Sequence, residues 1–225
     1  MPLPLIEALA LLLERTYDTA HSVRPLGRFV VGDEGHRRLT ERRTVRESVD
    51  GPAARLLLRR LPADAPGWAA ALYLPDAVVE LLERRDPRRR LDETNVDAFG
   101  ALVEEVDHLV TFADRAGRPG GEVSLLELEW HAGVSKYLVG AHFLARLGGR
   151  PELSAAQRAF LEHHLFDKHD YAGVPEPARS RYRQADRLAR GFLRDLYRRR
   201  PAERLRRLRR FHHAGHHEKL RAFAS

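Results

Sequence analysis

The 225-residue chain is 43% hydrophobic and 32% charged, enough apolar material for one or two packed domains and too much for a wholly disordered chain. It contains no cysteine, which excludes disulfides, thiolate metal sites, iron–sulfur clusters and cysteine nucleophiles, so any metal must be held by His, Asp or Glu. The formal net charge of +7 is concentrated at the end of the chain, where residues 198–221 carry nine Arg and Lys219 against Glu203 and Glu218.

The opening MPLPLIEALALLLERTYDT has no basic segment ahead of its apolar run and includes Glu7, the pattern of an amphipathic or buried first helix rather than a signal peptide. No later run approaches the roughly 18 to 20 uncharged apolar residues of a membrane span, so the expectation is a cytoplasmic protein without a membrane partner. RPLGRFVVGDEG reads as a short β-branched run closed by glycines, and VDGP at Val49 to Pro52 as a turn. The apolar segments ARLLLRRL and WAAALYLP, separated by PADAPG, predict a β-hairpin. A short helix follows, capped at Asp76 and stopped before Pro87.

LDETNVDAFGALVEEVDHLVTFADRAGRPGG predicts an amphipathic helix over Val96 to Ala116, capped by Thr94 or Asn95, with Phe99, Leu102, Val106, Leu109 and Ala113 as its apolar stripe. Ser124 and Glu127 have capping-box spacing and start a second long helix that runs to Leu147 and stops at Gly148. Ser154 with Gln157 repeats the capping signal. Tyr182, Ala185, Ala189, Phe192 and Leu196 mark the buried stripe of a further helix, and Pro201 opens the last one, with Leu205, Leu208 and Phe211 on one face. The fold class expected is mainly α: a bundle of about five helices with a small N-terminal β-hairpin (α+β) element. Residues 1–90 would hold the first helix and hairpin region, and residues 91–225 the bundle with its basic, His-rich C-terminal helix.

The two long helices are joined by a short reversal centred near Gly120, so they should pack antiparallel, with His108 opposite about His131 and Phe112 opposite about Glu127. Glu105, His108, Glu127 and His131 are therefore the candidate ligands of a carboxylate/histidine site between these helices, a donor set suited to iron, manganese or zinc. The Glu-x-x-His unit at Glu105 and His108 resembles the one used by ferritin-like di-iron carboxylate bundles, over roughly 45 residues. That resemblance implies a metal able to activate water or oxygen; here Glu127 and His131 are four apart where the family has a second Glu-x-x-His unit. A metal-free acid/base pocket, or capping by Glu127 with ordinary packing of the imidazoles, stands beside it.

The tail offers a different class of function. Arg204, Arg206, Arg207, Arg209 and Arg210 could bind a polyanion, nucleic acid or an acidic protein, or else form a solvated face or pair with internal acidic stretches such as DET or EEVD. His212 with His216 and His213 with His217 are two i, i+4 pairs able to chelate a transition ion. There is no Walker loop, no G-x-G-x-x-G and no nucleophile elbow, so no nucleotide cofactor is expected. Self-association to a homo-oligomer is left open.

Overall fold

Helix α1 (Leu5–Tyr17) turns Leu9, Ala10, Leu13 and Tyr17 inward in the computed structural model of the protein, which describes residues 3–19, 24–41, 46–47, 54–62, 64, 67–116, 118 and 123–223. In the segment anticipated as a β-branched run closed by glycines, the run is the two-residue strand β1 (Val30–Val31), but a 3-10 turn (Leu26–Phe29) precedes it and helix α2 (Asp33–Glu41) follows where no helix was expected. Gly35 does not stop the chain there because Asp33 and Glu34 favour the helix N-terminus and Glu34 pairs with Arg38 one turn on, at 2.7 Å. The turn read at VDGP, like the reversal near Gly120, lies outside the described residues.

Strands β2 (Arg46–Glu47), β3 (Arg55–Arg60) and β4 (Trp68–Tyr73) complete a sheet of order β1-β4-β3-β2. The expected hairpin is β3–β4, antiparallel from Arg55↔Tyr73 to Arg60↔Trp68 and closed by Leu61 N–H donating to Gly67 O at 2.9 Å. Ala63, Ala65 and Pro66 of its connection lie outside the described residues. Strand β1 adds in parallel to β4 and β2 antiparallel to β3. The cross-strand pair Leu56 and Leu72 is fully buried, which seats the sheet on the helices behind it. Helix α3 (Asp76–Arg84) begins one residue earlier than anticipated, with Pro75 as its cap, and ends before Pro87 as expected.

Helices α4 (Val96–Ala116) and α5 (Leu125–Leu147) have the bounds their patterns indicated. The Ser154–Gln157 capping box is complete and opens α6 (Ala155–Glu162), which continues as a π-helical turn (His163–Asp167). Helices α7 (Ala178–Tyr197), α8 (Pro201–His213) and α9 (His216–Phe223) follow. A bundle of about five helices is thus an undercount, since nine α-helices occur among the described residues. The last predicted helix breaks at Ala214, whose extended ψ of 139° sends α9 off in a new direction. No helix among the described residues is long and apolar enough to cross a membrane.

One hydrophobic core runs from Leu9 through Leu56 and Leu72 to Val103, Trp130, Phe192 and Phe211, crossing residue 90, so α1 and the sheet share it with the later helices. All five residues of the α7 stripe are buried, whereas Leu205 of α8 is 40% exposed and stands outside the core it was expected to join. Helices α5 and α7 come close at Gly133, where an added Cβ would stand 3.1 Å from the buried Cβ of Ala189. Gly133→Val is therefore expected to wedge these helices apart and destabilise the protein by about 1–3 kcal/mol, read as a lower denaturation midpoint in urea; an unchanged midpoint would contradict this packing.

Candidate metal centre

Helix α4 sits between α1, the sheet, α5 and the π-helical turn, and every residue from Glu105 through Thr111 is buried. Its polar side chains therefore emerge in two directions within the protein. Helix α5 does the same, because residues two apart on a helix point to opposite sides: Glu127, His131 and Ser135 lie on one side, Glu129 and Lys136 toward the other.

The first layer gathers Glu104, Glu105 and His108 of α4 with Glu129 and Lys136 of α5. One ligand atom each from Glu104, His108 and Glu129 lie within 4.8 Å of one another. His108 is fully buried and neither ring nitrogen has a hydrogen-bond partner; Nδ1 stands 3.6 Å from Glu105 Oε2 and Nε2 4.0 Å from Glu129 Oε2. Glu105 Oε2 and Glu129 Oε1 are likewise buried without partners. Burial opposes charge on His108, but the carboxylates of Glu105, Glu129 and Glu104 outweigh it and push the imidazole up to about 10. Burial, with the nearby Glu104 charge, pushes Glu129 up to about 8. Lys136 binds Glu104 Oε2 at 2.5 Å, at a mouth where both side chains are about one-fifth exposed (18% and 20%). Beside it, Asp186 of α7 accepts from Tyr171 Oη at 2.7 Å and is pushed up to about 6, chiefly by burial.

The second layer is a hydrogen-bonded chain across α1, α5, α4 and α8. Tyr17 Oη meets Ser135 Oγ at 2.6 Å, and Ser135 donates to Asp107 Oδ1 at 2.6 Å. Asp107 Oδ2 lies 2.8 Å from His131 Nδ1, and His131 Nε2 lies 3.0 Å from His212 Nδ1. His212 Nε2 then faces Asp114 Oδ2 at 3.3 Å. Tyr17 and Phe211 flank the His131 ring, with centroids at 4.5 and 5.3 Å, and Tyr17 also stacks on His212 at 5.0 Å. Burial holds His131 below its ordinary value, and burial together with His131 and Lys219 holds His212 down at about 4. Burial opposes the charge on Asp114, but hydrogen bonds and charge from His212, Thr19 and Arg118 keep the carboxyl below its usual range.

The four side chains anticipated as one ligand set are thus divided. Glu105 and His108 belong to the first layer and His131 to the second, while Glu127 accepts from Arg115 Nη2 at 3.1 Å and Lys219 Nζ at 2.7 Å. Ser124 caps α5 by accepting from Glu127 N–H, but the Glu127 carboxylate is committed to those two cations rather than to closing the box. His142, which lies on the same helical stripe as Glu127 and His131, is exposed. Arg115 also donates to the carbonyl oxygens of His212 and Ala214, where the break between α8 and α9 leaves helix-end acceptors unsatisfied.

The tail is accordingly a docked part of the core and not a free basic arm: His212 and Lys219 are fully buried. The break at Ala214 places His212 and His213 on one helix and His216 and His217 on another, so neither anticipated i, i+4 pair lies on a continuous helix. Four of the five arginines of the anticipated polyanion face have internal partners. Arg204 donates to the Arg199 and Tyr197 carbonyls, Arg207 pairs with Asp195, Arg209 with Asp18 and Arg210 with Glu218, and Arg206 is exposed. The acidic partners are these residues and not the DET or EEVD stretches.

Asp107, Asp114, Glu129 and Tyr17 carry no advance signal, and His212 is anticipated only as half of a chelating pair in the tail and not as a core residue. The signal for His212 was present, since Leu208, Phe211 and His212 share one helical face at i, i+3 and i+4, and an imidazole on an apolar stripe enters the core with it. No family model matches the chain, and neither a curated protein nor a solved structure matches it.

Burial, aided by Arg115, pulls the Lys219 ammonium from 10.5 down to about 8 despite its bond to Glu127. Between pH 8 and 10.5 the unfolded chain therefore holds a proton that the native protein has released, and this residue's contribution to stability rises with pH across that window. The stability of wild type minus that of Lys219→Met should increase from pH 8 to 10.5 by on the order of 2 to 3 kcal/mol in urea titrations; a flat or falling difference would show the lysine to be charged throughout.

Proposed function

We propose that the protein is a metal-binding helical protein whose centre is built by Glu104, His108 and Glu129 between α4 and α5, with Glu105 behind His108. The observation that carries this reading is the fully buried His108, with both ring nitrogens unpartnered among unpartnered oxygens of Glu105 and Glu129. Polar atoms stripped of water and given no partner are costly, and a cation bridging them removes that cost for several groups at once. With His108 Nε2 as ligand, its Nδ1–H points toward Glu105, the carboxylate–imidazole–metal arrangement that fixes a ligand's tautomer.

Two carboxylates and one imidazole form a hard, oxygen-rich donor set that favours manganese or iron, with zinc as the further candidate. Three protein ligands leave positions for water, and a metal there supplies Lewis acidity for hydrolytic or oxidative chemistry. Lys136, already on Glu104 at the exposed edge, is placed to hold an anionic group against the metal. The Glu-x-x-His unit of Glu105 and His108 keeps its local resemblance to ferritin-like di-iron bundles in this reading, with Glu105 behind the imidazole rather than on the metal. The Arg-rich C-terminal helix has less in its favour as a polyanion site, given how many of its guanidinium groups are engaged internally.

Manganese titration followed by loss of the free-ion electron paramagnetic resonance signal tests the reading. The parent is untagged protein carrying His213→Ala and His217→Ala, which removes the exposed tail imidazoles. About one equivalent should bind, weakened about 100-fold by His108→Gln or Glu129→Gln and about tenfold by Glu105→Gln. Binding below about a tenth of an equivalent in the parent, or affinity indifferent to His108→Gln, would reject the centre.

A further inference from the structure

The second polar layer ends in donors that the centre above does not use. We propose that Asp114, His212 and His213 form a separate site for a divalent transition ion of the zinc class, at the surface end of the Asp107–His131–His212 chain.

The assignment follows from where the protons must lie. Asp107 takes the hydrogen of His131 Nδ1, so His131 Nε2 carries a lone pair. That lone pair accepts from His212 Nδ1–H, and His212 Nε2 is left bare. His212 is fully buried, and its Nε2 has no hydrogen-bond partner and points at a carboxylate oxygen, Asp114 Oδ2, 3.3 Å away. Two electron-rich atoms so directed repel one another unless a positive charge stands against both. A proton on Nε2 would add a further cation to a region that already buries Arg115 and Lys219. A separation of 3.3 Å suits two ligands each about 2.1 Å from one metal at a near-tetrahedral angle.

Ligand atoms of Asp114, His212 and His213 lie within 4.8 Å of one another. A side-chain cation already marks the point of convergence: Arg118 Nη2 is 2.7 Å from Asp114 Oδ2 and 3.0 Å from His213 Nδ1. The Arg118 side chain is 38% exposed and can turn out into solvent, so it competes with a metal without walling it off. Thr19 Oγ1 donates to Asp114 Oδ1 at 2.8 Å and orients the carboxylate. His213 is exposed, which leaves further coordination positions open to water. Two imidazoles and one carboxylate are a borderline set suited to zinc or iron(II), and the His131–Asp107 chain behind His212 supplies the outer support typical of metal-bound histidines.

The test is made in full-length, untagged His108→Gln protein, so that the Glu104–His108–Glu129 centre does not contribute and either proposal can fail alone. Zinc is titrated against a chromophoric chelator, and cobalt(II) is followed by its visible absorption. We expect about one equivalent of zinc and a nitrogen-ligated cobalt spectrum. His213→Ala, at an exposed position that leaves the core intact, and Asp114→Asn should each weaken zinc by about 100-fold, and Asp107→Asn by about tenfold. Arg118→Ala should tighten it by about tenfold by removing the resident competitor. Absence of zinc binding, affinity indifferent to His213→Ala and Asp114→Asn, or loss of binding with His217→Ala instead would overturn the site.

Discussion

Helix α4 has no solvent-facing side over its central two turns, yet it carries Glu105, Asp107, His108 and Thr111 there and Glu104, Asp114 and Arg115 around them. Charge removed from water must be met by opposite charge, hydrogen bonds or a bound ion. The neighbours of α4 read as answers to that demand. Lys136 and Glu129 meet it on one side, and His131 and Ser135 on the other. Lys219 and Glu127 complete the surroundings of Arg115, while His108, Glu105 and Glu129 keep buried polar atoms without partners.

This distribution also accounts for the docking of α8 and α9. A segment as basic as residues 198–221 would ordinarily remain in solvent, but it is drawn in at two points. His212 enters on the same face as Phe211, and Lys219 reaches the Glu127 carboxylate. The break between α8 and α9 makes both contacts available at once, and Arg115 neutralises the carbonyls that the break exposes. Specificity of docking comes from the polar groups, while the area buried comes from Leu208, Phe211 and Phe223.

Much of the architecture was readable in advance because its signals are local: the caps at Ser124 and Ser154, the stripe of α7, and the Pro and Gly that bound the hairpin. Depth along the α4–α5 pair was readable too. Asp107 meets His131, Glu104 meets Lys136 and Arg115 meets Glu127, all within three residues of the heights expected for an antiparallel pair. Direction around the helix was not. An apolar stripe identifies a facing side only when the other side is wet, and α4 is enclosed all round, so the facing assignment of Glu105 and His108 to Glu127 and His131 had no support in periodicity. The short strand β2 escaped for another reason: two residues carry no alternation, and its pairing depends on β3 being in place.

The imidazole chain joins parts of the polypeptide that are made far apart in time. His131 and His212 are 81 residues from one another, and Tyr17 lies 118 residues before the serine it touches. Asp107 and His131 can find each other as soon as α4 and α5 have left the ribosome, but the ring that covers Nε2 is made 81 residues after His131. Until then the Asp107 carboxylate and the imidazole that donates to it sit in a half-built, wetter interior, where water competes for their hydrogen bond. The layer strengthens as α8 and α9 exclude water from it, which makes closure of this part of the interior wait for their arrival.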